Sequence, residues 1–241
     1  TIAAAATSAR TYNGSSGGGI SLTGGIYIDS SANQTFNVEI GVDGSTVEFQ
    51  GNNGTSSIEF SENFYLNANT AEFGGTSSSS TITVSGTASG TGGSISKVDG
   101  NTLVLSADNT YTGSTTVSGG TLSLSGAGSV ADSSGVYVGT GAVFDISGVT
   151  SSTSVKILAE EGIGDGGSAK LGSKSLTMDG GAAATYFFNN LGLSGDTGAF
   201  TLNAANAATE LSLYGTSQYT GATTVQSGTL ASSGAMSSSS F

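Results

Sequence analysis

The side chains able to do chemistry are few in this sequence, and their spacing serves no common reaction. Histidine and cysteine are both absent, so there is no imidazole for a triad or a metal and no thiolate ligand. A polysaccharide lyase needs a base beside a uronate, usually with calcium-binding aspartates. The bases on offer are Arg10, Lys97, Lys156, Lys170 and Lys174, scattered along the chain. A glycoside hydrolase needs two carboxylates at a controlled separation. Glu160 and Glu161 are adjacent, and neighbours on a strand point to opposite faces. The stretch Gly162–Ala169, GIGDGGSA, approximates a calcium-binding glycine turn. It lacks the nine-residue recurrence such turns require and reads as a Gly-rich turn. Asn13, Asn33 and Asn53 open Asn-x-Ser/Thr triplets, expected by chance in a chain this rich in those residues. The expectation is no enzyme, no cofactor and no metal.

The composition describes the frame those residues sit in. Gly takes 40 positions of 241, Ser and Thr are abundant, and Pro is absent. Such content suits a flexible linker. Against that, apolar residues reach 36% and charged residues only 9%, whereas disorder usually brings many charges. Absence of proline fits strands that all donate to a ladder. Without cysteine, stability must come from ladders and packing. Lys and Arg total 5 against 17 Asp and Glu, a net charge of −12. That balance argues against nucleic acid and against an anionic membrane surface. No apolar run approaches a membrane span. The opening TIAAAATSAR, which lacks an initiator Met and a basic region, reads as a processed N-terminus whose export signal has been removed.

The apolar residues fall in short alternating runs bounded by Gly, Asn and Ser, which is the strand signature. They include Ile20–Leu22, Ile26–Ile28, Phe36–Ile40, Val47–Phe49, Ile58–Phe60, Phe64–Leu66 and Ile82–Val84. Beyond the middle come Val136–Val138, Val143–Ile146, Val155–Leu158, Leu176–Met178, Tyr186–Phe188, Leu191–Leu193 and Phe200–Leu202. Alternation puts Glu39, Glu48 and Glu59 on the outer face. Tyr27, Tyr137 and Tyr214 are expected to stack inside the core. Only Ala204–Glu210 offers a short, weak helical pattern, and Asp165–Leu171 reads as a loop. A soft boundary near 160–175 is marked within one domain spanning 1–241.

One unit recurs. The segment from Asn101, NTLVLSADNTYTGSTTVSGGTLSLSGAGS, returns near the C-terminus, without a gap, as ELSLYGTSQYTGATTVQSGTLASSGAMS. Leu103, Leu105, Asn109, Tyr111, Gly113, Val117, Gly120 and Leu122 fall on Leu211, Leu213, Ser217, Tyr219, Gly221, Val225, Gly228 and Leu230. The units cover about 85–129 and 209–236. Such a unit cannot bury its apolar face alone and needs a neighbour stacked on it. Spacing within it suggests about 20 residues per solenoid turn. That gives on the order of eleven turns and a rod roughly 50 Å long.

The first unit resembles the passenger-associated transport repeat, also called the autotransporter-associated β-strand repeat. The resemblance rests on Ser85-Gly86, Gly90-Thr91-Gly92, Ser96-Lys97, Thr102-Leu103, Asn109-Thr110-Tyr111-Thr112-Gly113, Thr116-Val117 and Gly120-Thr121-Leu122. The second copy is cruder, with Ser217-Gln218-Tyr219 in place of Asn-Thr-Tyr, and RTYNGSS at Arg10–Ser16 is a decayed third candidate. The resemblance implies an all-β, right-handed parallel β-helix on a secreted or surface-exposed bacterial protein, where such repeats aid folding and form a shaft. It accounts for Lys97 as part of the pattern. Self-anchoring by an attached membrane barrel is not expected, since the polar SSSS before Phe241 does not read as a barrel strand.

An open solenoid ends in a strand edge that pairs readily with another chain. Neither end here shows a cap, and the second unit stops partway through a turn. The leading expectation is an extracellular fibre subunit that polymerises with itself head to tail, a non-closing contact. The alternative is a stalk or adhesin segment that binds surface glycans.

Overall fold

The structure, a computed structural model, describes residues 2–4, 10–13, 19–51, 56–162 and 166–236. Asn53, Asp165 of the glycine turn, the Ser run before Phe241, and most of TIAAAATSAR and RTYNGSS lie outside them.

Alternation sets the strands. In Ile26–Ile28 the two isoleucines are buried while Tyr27 between them is half-buried, and Thr81–Val84, Ser94–Lys97 and Thr102–Leu105 alternate in the same way. A strand with one apolar face must lay that face on something. Each strand pairs in parallel with its counterpart about 23 residues further on, building a β-solenoid of about nine turns with no helix among the described residues.

Three sheets wrap a common core. The first holds Ile2–Ala4, Ile26–Ile28, Thr46–Gly51, Thr70–Gly74, Ser94–Lys97, Thr115–Val117, Val136–Val138 and Leu158–Glu160. The second runs over nine strands, from Arg10–Asn13 through Thr102–Leu105, Thr121–Gly126, Val143–Val149 and Ser168–Lys170 to Asn190–Leu191. The third face carries Ile20–Leu22, Ile40–Val42, Phe64–Tyr65 and Ala88–Ser89, then a gap, then Thr153–Val155, Leu176–Met178, Phe200–Asn203 and Thr223–Ser227. Across the gap only the bridge Asp108–Ser129 survives. A last sheet, Thr185–Phe188, Glu210–Leu213 and Thr229–Ser232, stacks onto Leu158–Glu160 and so extends the first face.

Because the register is in step, like stacks on like. Tyr12, Phe36 and Phe60 are successive partners whose rings stack at centroid separations of 4.5 and 5.0 Å. The same column continues as Val84, Leu105 and Leu124. Phe49 stacks on Phe73 at 5.0 Å, and Phe64 meets Phe49 and Phe60 edge-on. Stacked and edge-to-face aromatic pairs add roughly 0.5–1.5 kcal/mol each beyond their buried area. A second inward column runs Ile58, Ile82, Leu103, Leu122, Phe144, Ala169 and Leu191.

Several expectations need correction. The 20-residue turn holds for only some steps, such as Ile20 to Ile40 and Ile95 to Thr115; Thr70 pairs with Ser94, and Val143 with Ser168. Longer corners take up the extra residues, so the turns are fewer than eleven. The Phe36–Ile40 run is two strands, Gln34–Asn37 and Ile40–Val42, because the chain turns a corner between sheets while Phe36, Val38 and Ile40 all stay buried. Val155–Leu158 divides likewise into Thr153–Val155 and Leu158–Glu160. Part of the expected loop at Asp165–Leu171 is the strand Ser168–Lys170, which carries the second sheet across residues 160–175. Ala204–Glu210 is a turn closed by the Thr209 N–H on Asn206 O, leading into Glu210–Leu213. Tyr27, Tyr137 and Tyr214 sit half-buried on outward positions, and Tyr111 and Tyr219 fill the core instead.

Candidate functional site

The residues singled out by the repeat form fasteners between turns. Asn109 is buried; its Oδ1 accepts the Ala88 N–H of the preceding turn at 2.8 Å. Its Nδ2 donates to Ala107 O at 2.8 Å and to Ser129 O of the following turn at 2.9 Å. One amide side chain thus ties three turns. At the equivalent place Ser217 accepts the Leu191 N–H at 3.2 Å through its hydroxyl. The Ser217 backbone N–H donates to Ala235 O of the following turn, as that of Asn109 donates to Ser129 O.

Tyr111 carries the next fastener. Its ring is fully buried, and its hydroxyl lies 2.6 Å from Thr115 Oγ1. Thr115 donates to Ser133 Oγ at 3.0 Å, and the single Ser133 hydroxyl proton is shared between Gly113 O and Gly135 O, at 2.9 and 3.1 Å. Each hydroxyl has one proton, so with Thr115 donating onward, the phenol must be the donor to Thr115. Burial pushes the Tyr111 phenol well above its ordinary range, opposed in part by Thr115, so it keeps that proton. Tyr219 repeats the pair with Thr223 at 2.5 Å, and burial raises its pKa also.

Close approach explains the glycines. A Cβ on Gly113 would stand 2.4 Å from Gly93 O and 2.3 Å from Ser94 Oγ; on Gly221 it would stand 2.2 Å from Gly198 O. At Gly120, where φ is +62°, a Cβ would come within 2.2 Å of Asn101 O, and Gly228 also has positive φ, at +97°. Leu103, Leu105, Leu122 and Val117 are wholly buried in the columns. Val225 differs: it is 47% exposed, and Leu230 is only partly buried. Thr223–Ser227 is the last strand of its sheet, and its register on Phe200–Asn203 slips after Leu202.

Sequence reasoning missed three kinds of member in these fasteners. Lys97 lies in the inward column of the first sheet, between Phe73 and Val117. Its alkyl stem fills the column while its ammonium reaches the corner, donating to Val98 O, to Asp99 O at 2.9 Å and to Gly119 O at 3.1 Å. Burial lowers its pKa to about 8, with Asp99 pulling the other way. Asn101, also buried, donates to Gly74 O, and Thr209 donates to Ala182 O. Thr209 stands to Asn101, and Ala182 to Gly74, as Leu211 stands to Leu103. Thr115 and Thr223 are the others. Identical offsets of donor and acceptor were the signal available for Asn101 and Thr209.

The two copies do not sit on the same faces. The first occupies the first and second sheets, as Thr115–Val117 and Thr121–Gly126. The second places the equivalent strands, Thr223–Ser227 and Thr229–Ser232, on the third and first faces. With turns about 23 residues apart, the step from Leu103 to Leu211 is not a whole number of turns but about four and two-thirds. The copy therefore lands two faces further round, one face short of a fifth full turn. The hydrogen bonds survive because the cyclic order of faces is unchanged.

The carboxylates and bases that could have done chemistry have structural partners. Glu160 is buried and accepts the N–H groups of Gly166 and Gly167 at 2.8 and 3.2 Å, whereas Glu161 accepts Ser118 Oγ at 2.9 Å on the exposed side. Lys170 pairs with Asp145 at 3.0 Å. No group of three or more metal-ligating side chains occurs among the described residues, and no helix there is long and apolar enough to cross a membrane. Glu39, Glu48 and Glu59 are half-buried on the outer surface. Glu48 and Glu72 are register partners there; burial, then Glu48 and Asp99, raise the Glu72 pKa.

No curated protein and no solved structure matches the chain. The Passenger-associated-transport-repeat family model matches it twice, at residues 95–124 and 208–231. Those are the two fastened stretches, and the chain therefore carries two passenger-associated transport repeats on a β-solenoid.

Proposed function

We propose that the chain is a shaft segment of a secreted, surface-displayed autotransporter-type passenger, with no catalytic role. The supporting observation is the unbroken nine-strand parallel ladder from Arg10–Asn13 to Asn190–Leu191, whose interior is filled by side chains. A core packed in this way resists bending and leaves all three outer faces free. The repeats fasten turn to turn, Asn109 tying three at once, and suit a rod that must stay folded outside the cell. The test is to anchor the C-terminal end to an outer-membrane display barrel and place an epitope at the N-terminal end. A shaft presents the epitope to antibody on intact cells and keeps it there under protease. An epitope that stays shielded, or purified chain that releases products from acidic polysaccharides, overturns the reading.

A finer reading, head-to-tail association into a fibre, is favoured by the last described turn. Among the described residues, Thr223–Ser227 and Thr229–Ser232 are the last strands of their sheets, and Val225 is exposed there. Another copy, or further chain of a longer passenger, would cover that edge. Negative-stain images of the purified protein separate the two: filaments support the fibre, and monomers at high concentration leave the shaft alone.

A further inference from the structure

The gap in the third face is a groove with a chemistry of its own. The neighbouring sheet is irregular beside it. Between Thr121–Gly126 and Val143–Val149 the register shifts, so that Ser123 faces Asp145 but Ser125 faces Gly148. On the third face beside this bulge no strand pair forms, and the turns are joined by the bridge Asp108–Ser129 and the Asn109 side chain. What opens is a cavity of about 440 Å³ lined by Asp108, residues 126–129, Ala131 and residues 149–154.

The lining is unlike the rest of the surface. Asp108 is exposed, and its carboxylate makes no hydrogen bond among the described residues; the same holds for the hydroxyls of Ser151, Thr153 and Ser154. Two of the five basic residues stand at the rim. Lys174 Nζ donates to Thr150 O at 3.4 Å, and Lys156 Nζ to Asp132 O, next to Ala131, at 2.5 Å. Neither ammonium is in an ion pair among the described residues, and each has donors to spare. In a chain of net charge −12, two unpaired cations above a floor of hydroxyls select a small anion that also carries hydroxyls. A carboxylate acceptor such as Asp108 takes two neighbouring hydroxyl donors.

We infer that this groove binds a carboxylated saccharide unit, with the sugar carboxylate toward Lys174 and Lys156 and vicinal hydroxyls on Asp108. The site stands apart from the shaft reading, since a rod needs no groove. Exposed ion pairs of this kind are weak, so binding in the millimolar range is expected.

The experiment titrates the whole chain, isotopically labelled, with digalacturonate and with its dimethyl ester, following backbone amides by NMR. The acid should shift amides of Ser129, Ala131 and residues 150–154 and leave the distant Ile26–Ile28 strand unmoved. Esterification removes the charge, and D108N or K174Q removes one partner; each should weaken binding roughly tenfold, the equivalent of losing one charge-assisted contact. Both side chains are at the surface, and melting curves matching the parent confirm that the variants fold. No shift at these amides, equal binding of acid and ester, or binding indifferent to both substitutions would overturn the assignment. Failure here leaves the display experiment untouched, because that depends on the ladder alone.

Discussion

Removing Thr115 Oγ1 tests whether the tyrosine of the repeat is a packing group or a hydrogen-bonded fastener. Thr115→Val keeps the shape of the side chain but deletes the middle of the relay. The Tyr111 hydroxyl then has no acceptor, in a pocket where its ring is fully buried. A buried polar group left unmatched costs about 1–3 kcal/mol. Tyr111→Phe removes the donor instead; Thr115 keeps its bond to Ser133, so the loss is only about 1 kcal/mol. In the double variant both partners are gone, and the loss should fall below the sum of the singles by roughly 1–2 kcal/mol. Urea unfolding followed by circular dichroism supplies the four midpoints, provided the slope is shared among variants. The cycle at Tyr219 and Thr223 should give coupling of the same sign, because their 2.5 Å contact is the same one on another face. Strictly additive losses at both sites would refute the relay and reduce the tyrosines to packing.

Other expectations follow from the same geometry. Gly113→Ala sets a Cβ 2.4 Å from a backbone oxygen, and should destabilise by about 3 kcal/mol or more, read from the urea midpoint; no change would mean the turn yields freely. Lys97→Met should destabilise at neutral pH by stripping the three corner carbonyls of their donor. Its pH profile has a definite sign. The folded amine titrates at about 8 and the unfolded one at 10.5, so between those values the unfolded state binds more protons and wild-type stability rises with pH. The gap between wild type and Lys97→Met should therefore widen from pH 8 to 10.5; a gap that narrows contradicts the burial of that amine. Glu72, by contrast, has a raised carboxyl pKa from burial and from Glu48 and Asp99. Its stabilising contribution is present below the unfolded carboxylate range and is lost as pH rises through the folded value. Glu72→Gln should accordingly raise the melting temperature at neutral pH and lose that advantage in acid; a uniform effect at every pH argues against like-charge repulsion.

Much of this fold is visible in residue spacing. Leu103 and Leu211 announce their columns because a period of two on one face has few other uses. Asn109, Tyr111, Gly113 and Gly120 stand out because each meets a constraint that few residues satisfy. What stays hidden has three physical sources. Corners are invisible to alternation: Phe36, Val38 and Ile40 are all buried, yet the sheet changes between them. Burial of one turn depends on the next, so Val225 matches Val117 in sequence but is 47% exposed where its column ends. Polar residues in core columns read as surface; only the structure shows Lys97 stacked between Phe73 and Val117 with its charge led out to carbonyls. The one-residue register slip between Ser123 and Ser125, beside the groove at Asp108, is a feature without any local signature.

The central claim is that the chain is a rod whose length is set by counting turns. Thr46 pairs with Thr70 and Thr70 with Ser94, so excising 46–93 removes two complete turns and rejoins equivalent points of the first sheet. Small-angle scattering of the purified variant should show a particle shorter by about 10 Å, two strand spacings, with an unchanged cross-section. A cooperative unfolding transition should remain. A variant that unfolds, or one that thins in cross-section while keeping its length, would contradict the solenoid shaft.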